Sequence, residues 1–259
     1  MNYGLYISAS GATANLYRQD VLAANLANLD TVGYRPDFPL VRQRDAARIE
    51  DGLASLPSNV MLERLGAGVM MAPNSIGFAQ GDLRLTGEPL DVAIEGDGFL
   101  LVGDTSEEGR PEIRLTRDGR LTRDESGRLV LAASGHPVLS TGGAPIYLDP
   151  TRTATIMADG AVVQDGQIVA QLELADVHPR SSLRKIGGGL LAAPHDVIDR
   201  RQAATGRLKA GYVEGSGVNE IQAMMQITGA SNAVAANVGM ITYHDRLMEA
   251  AINRLGRVT

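Results

Sequence analysis

The sequence predicts an α+β fold, in which long N- and C-terminal helices pair as a coiled-coil-like module and a central domain is mostly antiparallel β. Three observations predict it. All 11 prolines of the 259 residues lie between the two ends of the chain. Each end carries apolar residues at heptad spacing, which is typical of packed helices. The centre alternates apolar and polar residues between glycine-containing turns, which is typical of strands.

The N-terminal helix is predicted from a stripe with alternating spacings of four and three residues: Leu5, Ala9, Ala12, Leu16, Gln19, Ala23 and Leu26. Ile7, Ala14 and Val21 follow a second register on another face. A helix that is apolar on more than one side needs more than one neighbour. We expect residues 30–33 to end this helix with Gly33 as a left-handed cap, and Pro36 to prevent its resumption.

The C-terminal helix is predicted over residues 218–255. Its stripe comprises Met224, Ile227, Ser231, Val234, Val238, Ile241, Asp245, Met248, Ile252 and Leu255. Asn219 is the expected N-cap, and Gln222 follows it by three residues, as in a capping box. At 1.5 Å per residue such a helix is roughly 57 Å long, which suits a coiled-coil element.

Period-two alternation marks the predicted strands of the centre. It occurs at Leu83 and Leu85, and further along in two longer sets: Leu90, Val92 and Ile94, then Ile168, Ala170, Leu172 and Leu174. Turn dipeptides such as Asp165-Gly166 separate these runs. The predicted organisation is therefore an N-terminal helix within 1–34, an extended connector over 35–79 with room for a short hairpin, a β-rich domain over 80–213, and the C-terminal helix within 214–259.

Composition argues against several classes of function. The chain has no cysteine, so disulfide frameworks, zinc–cysteine sites, iron–sulfur clusters and cysteine nucleophiles are excluded. A net charge of −6 disfavours binding to nucleic-acid phosphates. Aromatic residues are only 4% of the chain, which is few for a site that stacks bases or flavins. No basic segment precedes an apolar run at the N-terminus, and no stretch has the length of a membrane-spanning helix, so we expect neither a cleaved signal nor membrane insertion.

The sequence lacks the motifs that carry the common catalytic and metal-binding chemistries. The four histidines lack metal-ligand spacing: His136, His178, His195 and His244. There is no nucleophile elbow and no phosphate-binding loop, and the glycines at 187–189 predict a flexible turn. Residues 118–127 (DGRLTRDESG) predict two β-turns rather than a calcium loop, and the mixed charges over 110–128 predict a solvated hairpin face. We therefore expect no catalytic residue, no cofactor and no metal.

Four segments together resemble the flagellar rod and hook protein family. They are residues 25–34 (NLANLDTVGY), residues 91–99 (DVAIEGDGF), residues 116–119 (TRDG) with Asp124, Gly127, Leu129 and Val130, and residues 214–216 (EGS) with Val218 and Asn219. They occur in the family's order and span nearly the whole chain. The opening residues 3–7 (YGLYI) and the single β module most resemble the proximal-rod paralogue, and next the distal-rod paralogue.

The resemblance implies a structural subunit of the bacterial flagellar basal-body rod, which assembles helically and transmits torque. It implies as partners copies of the same chain, other rod proteins and the flagellar type III export apparatus, with a location in the periplasmic part of the basal body. The alternatives are a distal-rod subunit, or a secreted β-rich binding module with helical arms. The expected assembly interface comprises Leu5, Ala9, Ala12, Leu16, Leu26, Met224, Ile227, Val234, Val238, Ile241, Met248, Ile252 and Leu255.

Overall fold

The computed structural model describes residues 3–50, 52, 55, 66–104 and 112–255. Its contacts divide the chain into two compact units. The helical unit comprises Met1–Ala27, Asp37–Ser75 and Asn219–Thr259, and the β unit comprises Asn28–Pro36 and Ile76–Val218. The predicted α+β class is confirmed, since the terminal helices pack on each other and the described strands of the centre pair antiparallel.

The described helices are α1 (Tyr3–Ala27), α2 (Ala47–Glu50), α3 (His195–Asp199) and α4 (Glu220–Leu255), and Arg180–Ser182 forms a 3₁₀ turn. The strands are β1 (Asp37–Gln43), β2 (Val69–Ile76), β3 (Leu83–Leu85), β4 (Val92–Glu95), β5 (Phe99–Asp104), β6 (Glu112–Thr116), β7 (Leu121–Arg123), β8 (Leu129–Leu131), β9 (Ala154–Ile156), β10 (Ala161–Gln164), β11 (Gln167–Gln171), β12 (Leu174–Asp176), β13 (Arg184–Gly187), β14 (Leu190–Ala192), β15 (Gln202–Ala203), β16 (Arg207–Ala210) and β17 (Tyr212–Glu214).

The helical unit is built on an antiparallel pairing of α1 with α4. Gly4 lies against His244 and Gly11 against Asn237, so residue numbers rise along one helix as they fall along the other. A Cβ atom added to Gly4 would lie 2.5 Å from the His244 ring, and one added to Gly11 would lie 2.7 Å from Oδ1 of Asn237. The two helices can approach this closely because α1 has no side chain at either contact.

A second face of α1 packs against the paired strands β1 and β2. The Tyr17 hydroxyl donates to Oδ1 of Asn74 at 2.7 Å. The Asn25 side chain donates to the Asp37 carbonyl at 2.7 Å and accepts from the Asp37 amide at 2.9 Å, which satisfies the backbone at the start of β1. Ala14 and Val21 are buried, and the expectation that α1 needs more than one neighbour is confirmed.

The β unit is organised around a six-stranded sheet of order β13-β14-β6-β5-β12-β15. Its central strand β5 is buried on both faces. Leu100 and Val102 point into one core cluster, whereas Phe99 and Leu101 point into the other. Smaller sheets complete the unit: β11-β10-β9, β16-β4, β17-β3 and β7-β8. The four consecutive apolar residues that begin β5 suit this two-sided burial.

Several local predictions are confirmed. Asn219 caps α4, because its side-chain oxygen accepts a hydrogen bond from the Gln222 amide at 2.9 Å. Asp165 and Gly166 both have positive φ, 50° and 80°, and join β10 to β11 in the tight turn that their sequence predicts. The predicted connector contains β1 and β2. Within it, residues 51, 53, 54 and 56–65 lie outside the described part of the chain.

Two other local predictions were wrong. Helix α1 ends at Ala27, so Gly33 is not its cap. Gly33 has a φ of 66° and lies so close to the backbone of Arg117 that a Cβ atom would come within 2.5 Å of its carbonyl carbon. The alternation from Ile168 to Leu174 is not one strand, because the chain leaves β11 after Gln171 and enters the six-stranded sheet as β12.

Candidate assembly surface

The predicted assembly residues on α4 fall into two groups. Ile227, Val234 and Ile241 are half-buried. Val238 is 50% exposed and Ile252 is 66% exposed, and Met224 and Met248 are exposed to a similar degree as Val238. The side chain of Leu255 lies outside the described residues. The predicted stripe therefore combines positions near the partner helix with positions that face solvent.

The seam that faces α1 is displaced by one residue from the predicted stripe. It runs through small or polar residues seven positions apart: Ala223, Ala230, Asn237 and His244. Ala223 and Ala230 are buried, and Asn237 and His244 meet the two glycines of α1. Small side chains shorten the distance between the helices, so the larger apolar residues of the stripe lie beside the seam rather than in it.

Helix α1 shows the same displacement. Of its predicted assembly residues, Ala12 is buried within the helical unit, and Leu5, Ala9 and Leu26 are half-buried. Leu16 is exposed, as is Tyr6, which the stripe did not include. The close contacts with α4 pass through Gly4 and Gly11 instead. A search for apolar repeats cannot find glycine contacts of this kind.

The C-terminal part of α4 extends beyond the described start of α1. Gly4 of α1 lies against His244, and the two helices run in opposite directions. Residues of α4 from Met248 onward therefore have no described part of α1 beside them. Met248 and Ile252 keep the apolar character of the stripe, yet both are exposed.

Exposed apolar side chains also occur on α4 outside the predicted stripe. Ile221 and Met225 are 73% and 70% exposed near the start of the helix. Met240, Tyr243 and Leu247 are exposed near its end. Between the two groups, Gly229 and Gly239 have no other described atom within 4 Å of a built Cβ. In the sequence, this surface is indicated by apolar residues on more than one side of α4, as on α1.

The segment before α4 carries a buried ion cluster of Arg35, Arg117 and Glu214. The Glu214 side chain is fully buried, and those of Arg35 and Arg117 are 3% and 4% exposed. Nη2 of Arg35 lies 2.9 Å from Oε1 of Glu214, and Nη1 of Arg117 lies 3.1 Å from Oε2. Each arginine therefore has its own oxygen of one carboxylate.

Further hydrogen bonds complete this cluster. The Gly81 amide donates to Oε1 of Glu214 at 2.8 Å, and the Gly33 amide donates to the Glu214 carbonyl at 2.7 Å. Arg117 also donates to the Gly96 carbonyl at 2.9 Å, and its guanidinium lies 5.2 Å from the ring centroid of Phe99. The cluster ties together segments that are far apart in sequence, within the β unit.

Burial dominates the electrostatics of the two arginines. Desolvation lowers the pKa of Arg35 to about 10, and the neighbouring charge of Arg117 acts in the same direction, while Glu214 opposes both. Desolvation also lowers the pKa of Arg117, again against the effect of Glu214. Arginine keeps its proton at neutral pH in proteins, so the cluster carries two positive charges and one negative charge.

The predicted solvated hairpin face over residues 110–128 was wrong for two of its charged residues. Arg117 and Asp118 are both buried. Asp118 accepts hydrogen bonds from the Arg120 amide at 3.0 Å and from Nη2 of Arg120 at 2.7 Å. Mixed charge predicted solvent exposure, but partners distant in the chain compensate the charge of Arg117.

The structure also shows where the histidines and acidic side chains lie. No group of three His, Asp or Glu side chains among the described residues could hold a metal ion. His195 lies on α3 and His244 on α4, whereas His136 and His178 lie in connecting segments, where His178 pairs with Asp176 at 3.1 Å. None of the helices that the structure describes combines the length and the apolar character needed to span a membrane.

Three family models match the chain in order. The model described as flagella basal body rod protein matches residues 5–35, the flagellar hook protein FlgE/F/G D1 domain matches residues 93–170, and the flagellar basal body rod FlgEFG protein C-terminal model matches residues 209–255. These ranges contain most of α1 with Arg35, strands β5 to β10 with Arg117, and Glu214 with α4.

Curated relatives are similar along their full lengths. The flagellar basal-body rod protein FlgF of Caulobacter vibrioides is 33% identical over 266 residues, which cover 100% of both chains. FlgF of Rhizobium meliloti is 32% identical over 259 residues and 99% of both chains. The flagellar basal-body rod protein FlgG of Buchnera aphidicola from Schizaphis graminum is 30% identical, over 95% of this chain and 96% of its own. The resemblance drawn from the sequence is thus confirmed, and the chain belongs to the flagellar basal-body rod protein family.

Proposed function

We propose that this chain is a structural subunit of the proximal part of the flagellar basal-body rod, and that it assembles with copies of itself and with other rod proteins through its terminal helices. The exposed apolar surface of the α1–α4 pair carries this proposal. Similarity to proteins named FlgF supports the proximal position. The distal position is the alternative, because FlgG proteins are also similar.

The helix pair has the properties that such a role requires. Burying an exposed apolar side chain such as Met225 or Ile252 contributes roughly 1.5–3 kcal/mol, and one chain leaves several of them uncovered. A repeated contact between two different faces generates a helical filament when its rotation does not close into a ring. The proposed interface includes the predicted residues that remain exposed and the additional apolar residues of α4.

Export and the absence of catalysis belong to the same proposed role. We propose that the chain is exported by the flagellar type III apparatus without cleavage of a signal peptide and acts in the periplasmic part of the basal body. Its role requires neither enzymatic activity, a cofactor, nucleic acid nor insertion into a membrane.

A charge placed on the exposed side of α4 tests this function. Val238→Asp should leave the melting of the purified chain nearly unchanged, because Val238 is half exposed there. In the assembled rod the same aspartate would be buried without a partner, at a cost of several kcal/mol. We therefore expect loss of rod incorporation and of swimming when the variant complements a strain that lacks the gene.

Two further variants make the result interpretable. Ala230→Asp places the charge in the α1–α4 seam, where Ala230 is buried, and should lower the melting temperature of the isolated chain. Arg246→Ala lies on an exposed position off the stripe and should be mild in both assays. Normal rod incorporation of Val238→Asp would contradict an assembly role for this face.

A further inference from the structure

Methionine makes up a large share of the apolar surface of α4. Among the described residues, α4 exposes nine large apolar side chains, and four of them are methionines. They are Met224, Met225, Met240 and Met248, and each is at least 48% exposed. The sequence has nine methionines in all, so this one helix holds almost half of them. The sulfur of the chain is therefore concentrated on the surface proposed for assembly.

Methionine is also the only sulfur-containing residue of the chain, because the sequence has no cysteine. Reversible oxidation of sulfur must therefore occur at methionine, whose thioether becomes a sulfoxide. Hydrogen peroxide carries out this step. An S–O bond forms as the O–O bond breaks, sulfur is oxidised by two electrons, and the peroxide is reduced to water. The product is polar where the thioether was apolar.

The methionines of α4 lie on the same helix faces as apolar residues that peroxide does not oxidise. Ile221 precedes Met225 by four residues, and both border one surface groove. Leu247 follows Met240 by seven residues, which again places the two on one face. The unbranched, polarizable methionine side chain adapts to irregular contacts, which suits a surface that meets different neighbours. Oxidation would place S=O groups among these apolar side chains.

We propose that the four methionines of α4 are a redox modification site, and that their oxidation by a peroxide before assembly prevents the chain from entering the rod. The inference rests on the proposed function, because it treats the apolar surface of α4 as the surface that neighbouring subunits cover. A sulfoxide buried in such a contact without a hydrogen-bond donor loses the hydration of its oxygen. Assembly shields the thioethers, so peroxide modifies the unassembled chain. Methionine sulfoxide reductases restore the apolar surface.

Exposure alone does not distinguish these methionines from the others. Met157 is 53% exposed, but it follows β9 in the β unit. Its oxidation should therefore proceed at a similar rate and leave assembly unchanged. Met157 is the matched control, because it has the same chemistry and a similar exposure but does not lie on α4.

Peroxide footprinting tests the site itself. The purified full-length chain and purified basal bodies are treated with hydrogen peroxide, and the sulfoxide at each methionine is followed by peptide mass spectrometry. In the isolated chain, the four α4 methionines should oxidise within about threefold of the rate of Met157, because their exposure is similar. In basal bodies, their oxidation should be slowed at least about tenfold relative to the isolated chain. Resistance of the α4 methionines in the isolated chain would overturn the proposal.

Substitution tests whether polar groups at these positions block assembly. Glutamine is polar, as the sulfoxide is, and favours helix about as well as methionine does. In a strain that lacks the gene, a chain that combines Met224→Gln, Met225→Gln, Met240→Gln and Met248→Gln should enter basal bodies at least about tenfold less than the wild type. Met157→Gln should enter within about twofold of the wild type. Circular dichroism of each purified chain shows whether its helices are intact. Equal entry of the α4 glutamine variant and the wild type would contradict the proposal.

Replacement of the same four methionines by leucine isolates the role of sulfur. Each chain is expressed with and without sublethal hydrogen peroxide, in a strain without methionine sulfoxide reductases so that repair does not hide the effect. Peroxide should lower incorporation of the wild type into basal bodies at least about threefold, measured against the same chain without peroxide. Incorporation of the leucine variant, whatever its own level, should not respond to peroxide. Equal sensitivity of the two chains would overturn the proposal.

The outcome is separable from that of the proposed function. If the wild type enters the rod and the α4 glutamine variant enters equally well, the modification site fails and the structural role stands. If the α4 methionines oxidise as fast in basal bodies as in the isolated chain, the proposed assembly surface is not covered and fails first. If the wild type is absent from basal bodies, the proposed function itself fails.

Discussion

The helical unit and the β unit differ in how completely they bury their large apolar residues. In the β unit, Phe99, Leu100 and Leu101 are at most 1% exposed, and two core clusters take up both faces of β5. In the helical unit, Ile221, Met225 and Ile252 are each at least 66% exposed. The β unit can therefore gain most of its stability within one chain, whereas the helical unit leaves apolar surface for other molecules.

The two units also use polar residues differently. The β unit buries charges and compensates them, as in Arg35, Arg117 and Glu214. The helical unit places glycine and neutral polar side chains in its seam, as at Gly11 and Asn237. A buried ion cluster is destabilised by the loss of any one member, whereas a seam of small residues is destabilised by added side-chain volume. Substitutions that remove a buried charge or add volume to the seam should therefore affect the two units differently.

Glu214→Gln should destabilise the β unit by about 3–5 kcal/mol, because it removes the one carboxylate shared by two buried arginines. Urea unfolding followed by circular dichroism would measure the change. Glu88→Gln is the matched control, since Glu88 is exposed, and it should change stability by less than about 0.5 kcal/mol. Equal effects of the two substitutions would show that the buried cluster does not contribute to the stability of the β unit.

Two fragments of the β unit sharpen the same point. Residues 76–218 retain Glu214 and residues 80–213 do not; both contain Arg117, and neither contains Arg35. We expect both to fold, with the longer fragment more stable by about 3 kcal/mol, as measured by thermal melts. Glu214→Gln in the longer fragment should remove most of the difference. A random-coil spectrum of the longer fragment would show that the β unit depends on residues outside 76–218.

Gly11→Val should destabilise the helical unit by about 1–3 kcal/mol through overpacking against Asn237. Amide hydrogen exchange distinguishes the two units, so faster exchange should appear in α1 and α4 but not in β5. Gly239→Ala is the matched control, because no other described atom lies within 4 Å of its built Cβ. It should slow exchange in α4 slightly, since alanine favours helix more than glycine does. Faster exchange in β5 for Gly11→Val would contradict independent behaviour of the units.

Arg200→Ala should have the smallest effect. Arg200 and Asp196 form an ion pair at the end of α3, but their side chains are 74% and 66% exposed. Solvent screening limits such pairs to about 0–1 kcal/mol, so we expect a change in the free energy of unfolding near the lower limit. A loss of unfolding free energy close to that of Glu214→Gln would mean that burial does not determine how much an ion pair contributes to the stability of this unit.

Features that depend on neighbouring residues could be predicted from the sequence. Heptad spacing predicted both long helices, Asn219 was identified as the cap of α4, and Asp165-Gly166 marked a hairpin turn. The four family motifs identified the family. Each of these signals lies within a short stretch of chain, where hydrogen bonding and side-chain spacing are set by local geometry.

Other features were decided by the tertiary structure alone. The apolar stripes indicated that the helices pack, but not that Gly4 and Gly11 form the close contacts, because a glycine carries no hydrophobic signal. Arg117 and Glu214 are 97 residues apart, and nothing local in either segment indicates that they meet. Periodicity records which faces of an element are apolar. Only the folded chain determines which of those faces it covers itself, and which charges become buried because a distant partner compensates them.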